Sequence, residues 1–193
     1  TYTMKRVAIF ASGNGTNAEN ITRYFQSSVP DGEIALVISN NPEAGVIRRS
    51  MDLGVDTVVM SRQEINDPAQ MLGLLEKYSI DIIVLAGFLL RIPPFLTQRY
   101  PDRIVNIHPA LLPGYGGKGM YGHHVHEAVV AAGEKETGIT IHYVNENYDE
   151  GRIIFQAKTP VAPDDTPADV ESKVHVLEKE HFPRVIAETF FKR

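Results

Sequence analysis

Asn106 and His108 stand one residue apart in the run Val105-Asn106-Ile107-His108-Pro109, and their types suit chemistry on a carbonyl. A carboxamide N–H stabilises a developing oxyanion, and an imidazole titrating near neutrality moves a proton. In an extended segment side chains alternate between faces, so Asn106 and His108 share one side while Ile107 points to the other. Pro109 disfavours helical backbone at His108 and ends the strand there. The pair is therefore expected at the carboxyl end of a strand, where open α/β sheets bind their ligands. A satisfied core histidine beside a turn-forming asparagine is the plainer reading, and the surrounding elements must decide between the two.

Those elements alternate. Lys5 to Ala11 is a short apolar run, followed by Ser12-Gly13-Asn14-Gly15-Thr16-Asn17 and a segment suited to a helix, Ala18 to Phe25. The order is strand, loop, helix. The glycines permit a tight turn and close approach of a ligand, and Thr16 with Glu19 forms the T-x-x-E pattern of a capping box. A helix N-terminus with free amides is a ready site for phosphate. Gly13-x-Gly15-x-x-Ala18 also fits a dinucleotide fingerprint, which calls for an acidic residue about 20 positions on to hold the ribose hydroxyls. Here the second strand, Ile34 to Ile38, ends in Ser39-Asn40-Asn41, and only Arg48 and Arg49 leave a case for a 2′-phosphate. A loop carrying a single phosphate monoester fits better.

The alternation continues with a helix over Ala44 to Leu53, a strand over Thr57 to Met60, a polar loop from Ser61 to Asp67, and a helix from Pro68 to Tyr78. Asp81 to Ala86 is a continuous apolar strand of the kind buried on both faces of a parallel sheet. A short helix near Pro93 to Arg99 leads to the fifth strand, Arg103 to His108. Such repeats predict an α/β fold with a doubly wound, mostly parallel, Rossmann-like sheet and right-handed crossovers. The glycine- and proline-rich stretch Pro109 to Gly122 is then a long loop beside the pair. His123, His124 and His126 open a helix running to about Ala132. Clustered histidines can ligate a metal, but no carboxylate motif accompanies them and the HExxH pattern of a zinc hydrolase is absent, so they read as helix-entry and loop-packing residues. Ile139 to Val144 and Ile153 to Pro160 form an antiparallel extension around a loop holding Asp149. That carboxylate is the one expected to face His108, although Asp shortly before Gly151 also reads as a turn residue. Thr166-Pro167 starts a final helix through about Lys179 with Val170, Val174 and Leu177 on one stripe, and Pro183 is expected to interrupt or bend the segment beyond it, through Phe191.

Bulk properties narrow the classes. With 193 residues, 43% hydrophobic and 22% charged, the chain reads as one ordinary globular domain over residues 4–193. Met4 is expected to begin the natural chain, with residues 1–3 an added remnant. The net charge of −5, with both signs interspersed, offers no basic face for nucleic acid or anionic lipid and points to small-molecule ligands. There is no cysteine, so thiolate chemistry and disulfides are excluded. No apolar run reaches membrane length, and a cytoplasmic location is expected.

Four motifs carry a resemblance over essentially the whole chain from Met4: SGNGTN at Ser12, LAGF at Leu85, NIHPALLP at Asn106, and IHYV at Ile141 followed by Asp149-Glu150-Gly151 before a strand ending QAKTPV. Together they resemble the phosphoribosylglycinamide formyltransferases, folate-dependent enzymes of purine synthesis. The resemblance implies that Asn106, His108 and Asp149 are catalytic, with His142 supporting them. It implies that Gly13, Asn14, Gly15, Thr16 and Asn17 hold the phosphate of glycinamide ribonucleotide and that Glu178 meets the ribotide. Arg62, Leu89, Leu90, Arg91 and Ile92, with Asn106, are implied to contact 10-formyltetrahydrofolate as co-substrate. No metal, nucleic acid or membrane is implied, and the chain is expected to be a monomer or homodimer. Two departures stand out: LLRI after the AGF motif is one residue longer than the common pattern, and the loop Gly114 to His124 is several residues longer. Three rivals remain: a formyltetrahydrofolate deformylase, which would use water as acceptor; a methionyl-tRNA formyltransferase, which needs a further tRNA-binding domain; and a non-catalytic phosphate-binding module.

Overall fold

The computed structural model describes residues 4–147 and 151–191. Asp149, the carboxylate expected near His108, lies outside them. The elements run β1 (Lys5–Phe10), α1 (Thr16–Ser28), β2 (Gly32–Ser39), α2 (Gly45–Asp52), β3 (Asp56–Val59), α3 (Arg62–Ile65), α4 (Pro68–Lys77), β4 (Ile82–Leu85), α5 (Pro94–Arg99), β5 (Ile104–His108), α6 (His123–Ala131), β6 (Glu136–Tyr143), β7 (Ile153–Pro160) and α7 (Pro167–Phe190). The seven strands form one sheet in the order β3-β2-β1-β4-β5-β6-β7. The first five are parallel. β6 and β7 add antiparallel strands. This is the expected doubly wound sheet with its antiparallel extension.

The strands read as unbroken apolar runs because both faces are covered. On one face Val7, Ile9, Val37, Val84, Val105, Ile107, Ile139 and Ile141 pack under α1, α2 and α7. On the other, Ala8, Phe10, Leu36, Ile38, Ile83, Leu85 and Ile104 meet Ile65, Met71, Leu75 and Leu96 from α3, α4 and α5. The chain winds outward to β3, returns to β4 beside β1 and crosses to the other face. The loops after β1 and β4 therefore part at a topological switch point.

Three local expectations are corrected. The capping box at Thr16 and Glu19 is absent: Gly15 is the N-cap, in left-handed conformation at φ 79° and ψ 24°, with no side-chain cap. Thr16 becomes the first helical residue, and Glu19 turns to Arg49 at 3.3 Å and Arg23 at 3.7 Å. The stretch Ser61 to Asp67 is not all loop, because Ser61 and Glu64 form a capping box that starts α3. Finally, α7 runs unbroken through Pro183. Proline there removes a hydrogen bond to the carbonyl of Lys179, an exposed residue that water can serve, while buried Phe182, Val185 and Ile186 hold the segment against the core. Among the described residues no helix is long and apolar enough to cross a membrane.

The entry to α7 is fixed by a reciprocal cap, with Asp169 N–H donating to Thr166 Oγ1 at 3.2 Å and Thr166 N–H donating to Asp169 Oδ2 at 2.9 Å. Thr166→Ala should cost about 1 kcal/mol and lower Tm by about 2–4 °C in thermal melts. An unchanged Tm would mean that this cap does not hold the helix start.

Candidate active site

At the carboxyl ends of β1, β4 and β5 a cleft of about 740 Å³ opens, of a size that suits small-molecule ligands. Gly13 to Asn17 form one wall, Gly87 to Ile92 another, and Asn106 and His108 the floor between them. α7 contributes Glu171, His175 and Glu178, and the long loop contributes Gly117 to Gly122.

β5 pairs parallel with β4 and antiparallel with β6, and the second pairing sets Asn106 opposite His142 and His108 opposite Thr140. Directly opposed residues share a face, so a polar row forms across the two strands. His142 is buried, and its Nδ1 lies 2.9 Å from the Tyr143 carbonyl. A carbonyl only accepts, so Nδ1 carries the proton and Nε2 accepts from Asn106 Nδ2 at 3.1 Å. This bond fixes the amide of Asn106, whose nitrogen carries a second N–H. His108 is also buried, and its Nε2–H donates to the Tyr115 carbonyl at 2.6 Å. Thr140 donates to the Ala110 carbonyl at 2.7 Å and accepts from Leu112 N–H at 3.0 Å, which anchors the turn leaving β5.

At the wall formed by Gly13 to Asn17, α1 begins at Thr16 without a side-chain cap. Its first backbone bond is Glu19 N–H to Gly15 O at 2.9 Å, so the preceding amides face outward from the helix end. Gly15 needs its left-handed conformation, and a Cβ there would stand 2.5 Å from Val46 Cβ. The turn is thus set by glycine and backed by α2.

Glu178 falls on the buried stripe of α7 with Val170, Val174 and Phe182. Burial pushes its carboxyl up to about 7; the Asn17 side chain opposes this and the charge of Glu171 adds to it. Burial also lowers the pKa of His126, with Glu171 opposing and His175, His123 and His108 adding. His126 is buried with no hydrogen-bond partner for Nδ1 among the described residues. The three clustered histidines go separate ways: His123 pairs with Glu171 at 2.7 Å, exposed His124 meets the Tyr121 ring edge-on, and His126 is internal. Among the described residues no group of three or more suitable side chains could hold a metal ion.

The structure brings together Gly13 to Asn17, Leu89 to Ile92, Asn106, His108, His142 and Glu178 around one cleft. Arg62 is exposed at the start of α3 and does not line it. The strand reading missed Glu171 and His175. Their spacing of 171, 175 and 178 puts them on one helical face with Glu178, which was the available signal.

The formyl transferase family matches residues 5–186. The chain belongs to that family. Among formyl transferase relatives, the chloroplastic phosphoribosylglycinamide formyltransferase of Arabidopsis thaliana is 40% identical, covering 92% of this chain and 62% of that protein. This chain thus spans less than two thirds of the plant protein. The phosphoribosylglycinamide formyltransferase of Haemophilus influenzae is 36% identical over 95% of this chain and 86% of its own. The solved formyl transferase structure of glycinamide ribonucleotide transformylase 1 from Geobacillus kaustophilus has a TM-score of 0.86 at 36% identity, covering 95% of this chain and 97% of that one.

Raising a carboxyl pKa on folding means that the native protein keeps a proton the unfolded chain has lost. Between the ordinary value of 4.5 and about 7, stability therefore falls as pH rises. Glu178→Gln removes the titration and keeps the shape. Its Tm relative to the parent should climb from pH 5 to pH 8, reflecting a penalty on the order of 3 kcal/mol that is fully developed only above the raised pKa. A Tm difference that stays flat across that range would show that the burial penalty is not expressed.

Proposed function

We propose that this chain transfers the formyl group of 10-formyltetrahydrofolate to the amine of glycinamide ribonucleotide, the phosphoribosylglycinamide formyltransferase reaction. The observation that carries this reading is the position of the Asn106 and His108 pair. It lies between an uncapped helix N-terminus on one side and the irregular Gly87 to Ile92 segment on the other. One wall suits a phosphate monoester, and the other offers backbone groups and apolar side chains to a flat heterocycle.

In this proposal the amides of Gly15, Thr16 and Asn17 hold the ribotide phosphate, with Gly13 and Asn14 shaping the turn. Glu178 takes hydroxyls of the ribose. Leu89, Leu90, Arg91 and Ile92 contact the folate. The amine attacks the formyl carbon and the carbonyl oxygen becomes an oxyanion, which Asn106 N–H and protonated His108 stabilise. Breaking the bond from that carbon to the folate nitrogen releases tetrahydrofolate, and the proton shed by the amine passes to the departing nitrogen. Asp149 is assigned, from sequence, to orient the imidazole and favour its cationic form. His142 holds the Asn106 amide in place for this step through the contact at Nε2. The cycle needs no metal and no covalent intermediate.

The reading is tested by following loss of the formyl group from 10-formyltetrahydrofolate with and without glycinamide ribonucleotide. Turnover that requires the ribotide, in step with formylated ribotide, is the expected result; equal loss without it would make water the acceptor and the chain a deformylase. Asn106→Ala should reduce kcat by about 10²–10³-fold in protein that still folds. Turnover near that of the parent in a folded Asn106→Ala protein would remove Asn106 from the mechanism.

A further inference from the structure

Ser12 follows β1 at the switch point and is 7% exposed. Its backbone N–H donates to the Gly87 carbonyl at 3.1 Å. Its hydroxyl accepts from Leu89 N–H at 2.9 Å and lies 2.5 Å from Asn40 Oδ1. The amide of Leu89 can only donate, so the hydroxyl oxygen accepts there and gives its own proton to Asn40. One side chain therefore joins the ends of β1, β2 and β4. The next residues are Gly13 to Asn17, and the Gly13 carbonyl accepts from Val46 N–H at 3.1 Å, which seats that loop on α2.

The segment Ser12 holds needs outside support. Residues 86–93 form neither helix nor strand, Gly87 sits at φ 71°, and Leu89 is 61% exposed. Segments with few buried contacts open most readily. The phosphate wall is held by β1 and α2, the facing wall by β4, and the two meet at this hydroxyl.

We propose that Ser12 is a positioning residue that ties the ribotide loop to the folate segment, so that filling either subsite pre-orders the other. The assignment rests on the formyltransferase reading above. Its hydroxyl touches neither reacting atom; it acts through Leu89, while the Ser12 backbone N–H holds Gly87. Linkage requires the effect to be reciprocal: each ligand strengthens the other by the same factor.

The test uses the dead-end pair tetrahydrofolate and glycinamide ribonucleotide, which bind without reacting, in calorimetric titrations. In the parent protein, saturating ribotide should tighten tetrahydrofolate binding about tenfold; in Ser12→Ala the factor should fall below about twofold, while each ligand alone binds within about threefold of the parent. A merely structural serine would weaken single-ligand binding and leave the ratio intact, and that result overturns the proposal. So does a parent protein in which the ligands bind independently. Asn40→Ala keeps the Leu89 bond but removes the acceptor for the hydroxyl proton, and should give an intermediate ratio. If Ser12→Ala does not fold, a parental ratio in Asn40→Ala overturns the assignment. Failure of the parent to bind either ligand would instead overturn the formyltransferase reading, an outcome distinct from independent binding.

Discussion

The antiparallel seam between β5 and β6 is the constraint on which the site depends. β5 must run parallel to β4 to bring its carboxyl end to the cleft, and β6 must run against it to set His142 beside Asn106 and Thr140 beside His108. Alternation does the rest. On one face Val105, Ile107, Ile139 and Ile141 are buried under α7, and on the other the same strands line up two histidines, an asparagine and a threonine. A one-residue slip in this register would bury the polar row in the apolar core, so register is specified by the core itself. The hydrogen bond from Asn106 to His142 then depends on the pairing and needs no further support from loops.

The wall formed by Gly13 to Asn17 is built differently. Ser61, Asp67 and Thr166 cap α3, α4 and α7 with a side chain, while α1, α2, α5 and α6 start without one. At α1, Gly15 gives a left-handed entry, and the first amides face the cleft without a side-chain partner. Glu178 breaks a rule in the same region, since a carboxyl occupies a stripe otherwise made of Val170, Val174 and Phe182. A buried carboxyl that faces the cleft is the kind of local violation that consistent folding rules lead one to expect at a functional site.

Much of this was legible in the chain. Unbroken apolar runs such as Ile82 to Leu85 declare a parallel sheet covered on both faces, and the Asn106-x-His108 spacing with Pro109 declares a polar pair at a strand end. Other features were not. T-x-x-E at Thr16 and S-x-x-E at Ser61 look alike in sequence, and only the backbone conformation of Gly15 makes the first fail while the second forms. Pro183 reads as a break because propensity is local, whereas Phe182, Val185 and Ile186 hold the helix through packing that sequence does not display. The partner of His108 was hidden for the same reason, being a main-chain carbonyl rather than a side chain.

That partner changes how the imidazole is understood. Tyr115 sits at φ 55°, uncommon for a residue with a side chain, and its hydroxyl donates to Glu134 Oε1 at 2.9 Å. Its carbonyl is thereby aimed at His108 Nε2, which must keep its proton while that bond lasts. The sequence suggests a carboxylate as the group that orients the ring, and the long loop adds a main-chain carbonyl that holds it at Nε2. A ring whose Nε2 is held proton-on can bind a further proton only at Nδ1, so the placement of the loop around Tyr115 decides which ring nitrogen is open to a proton.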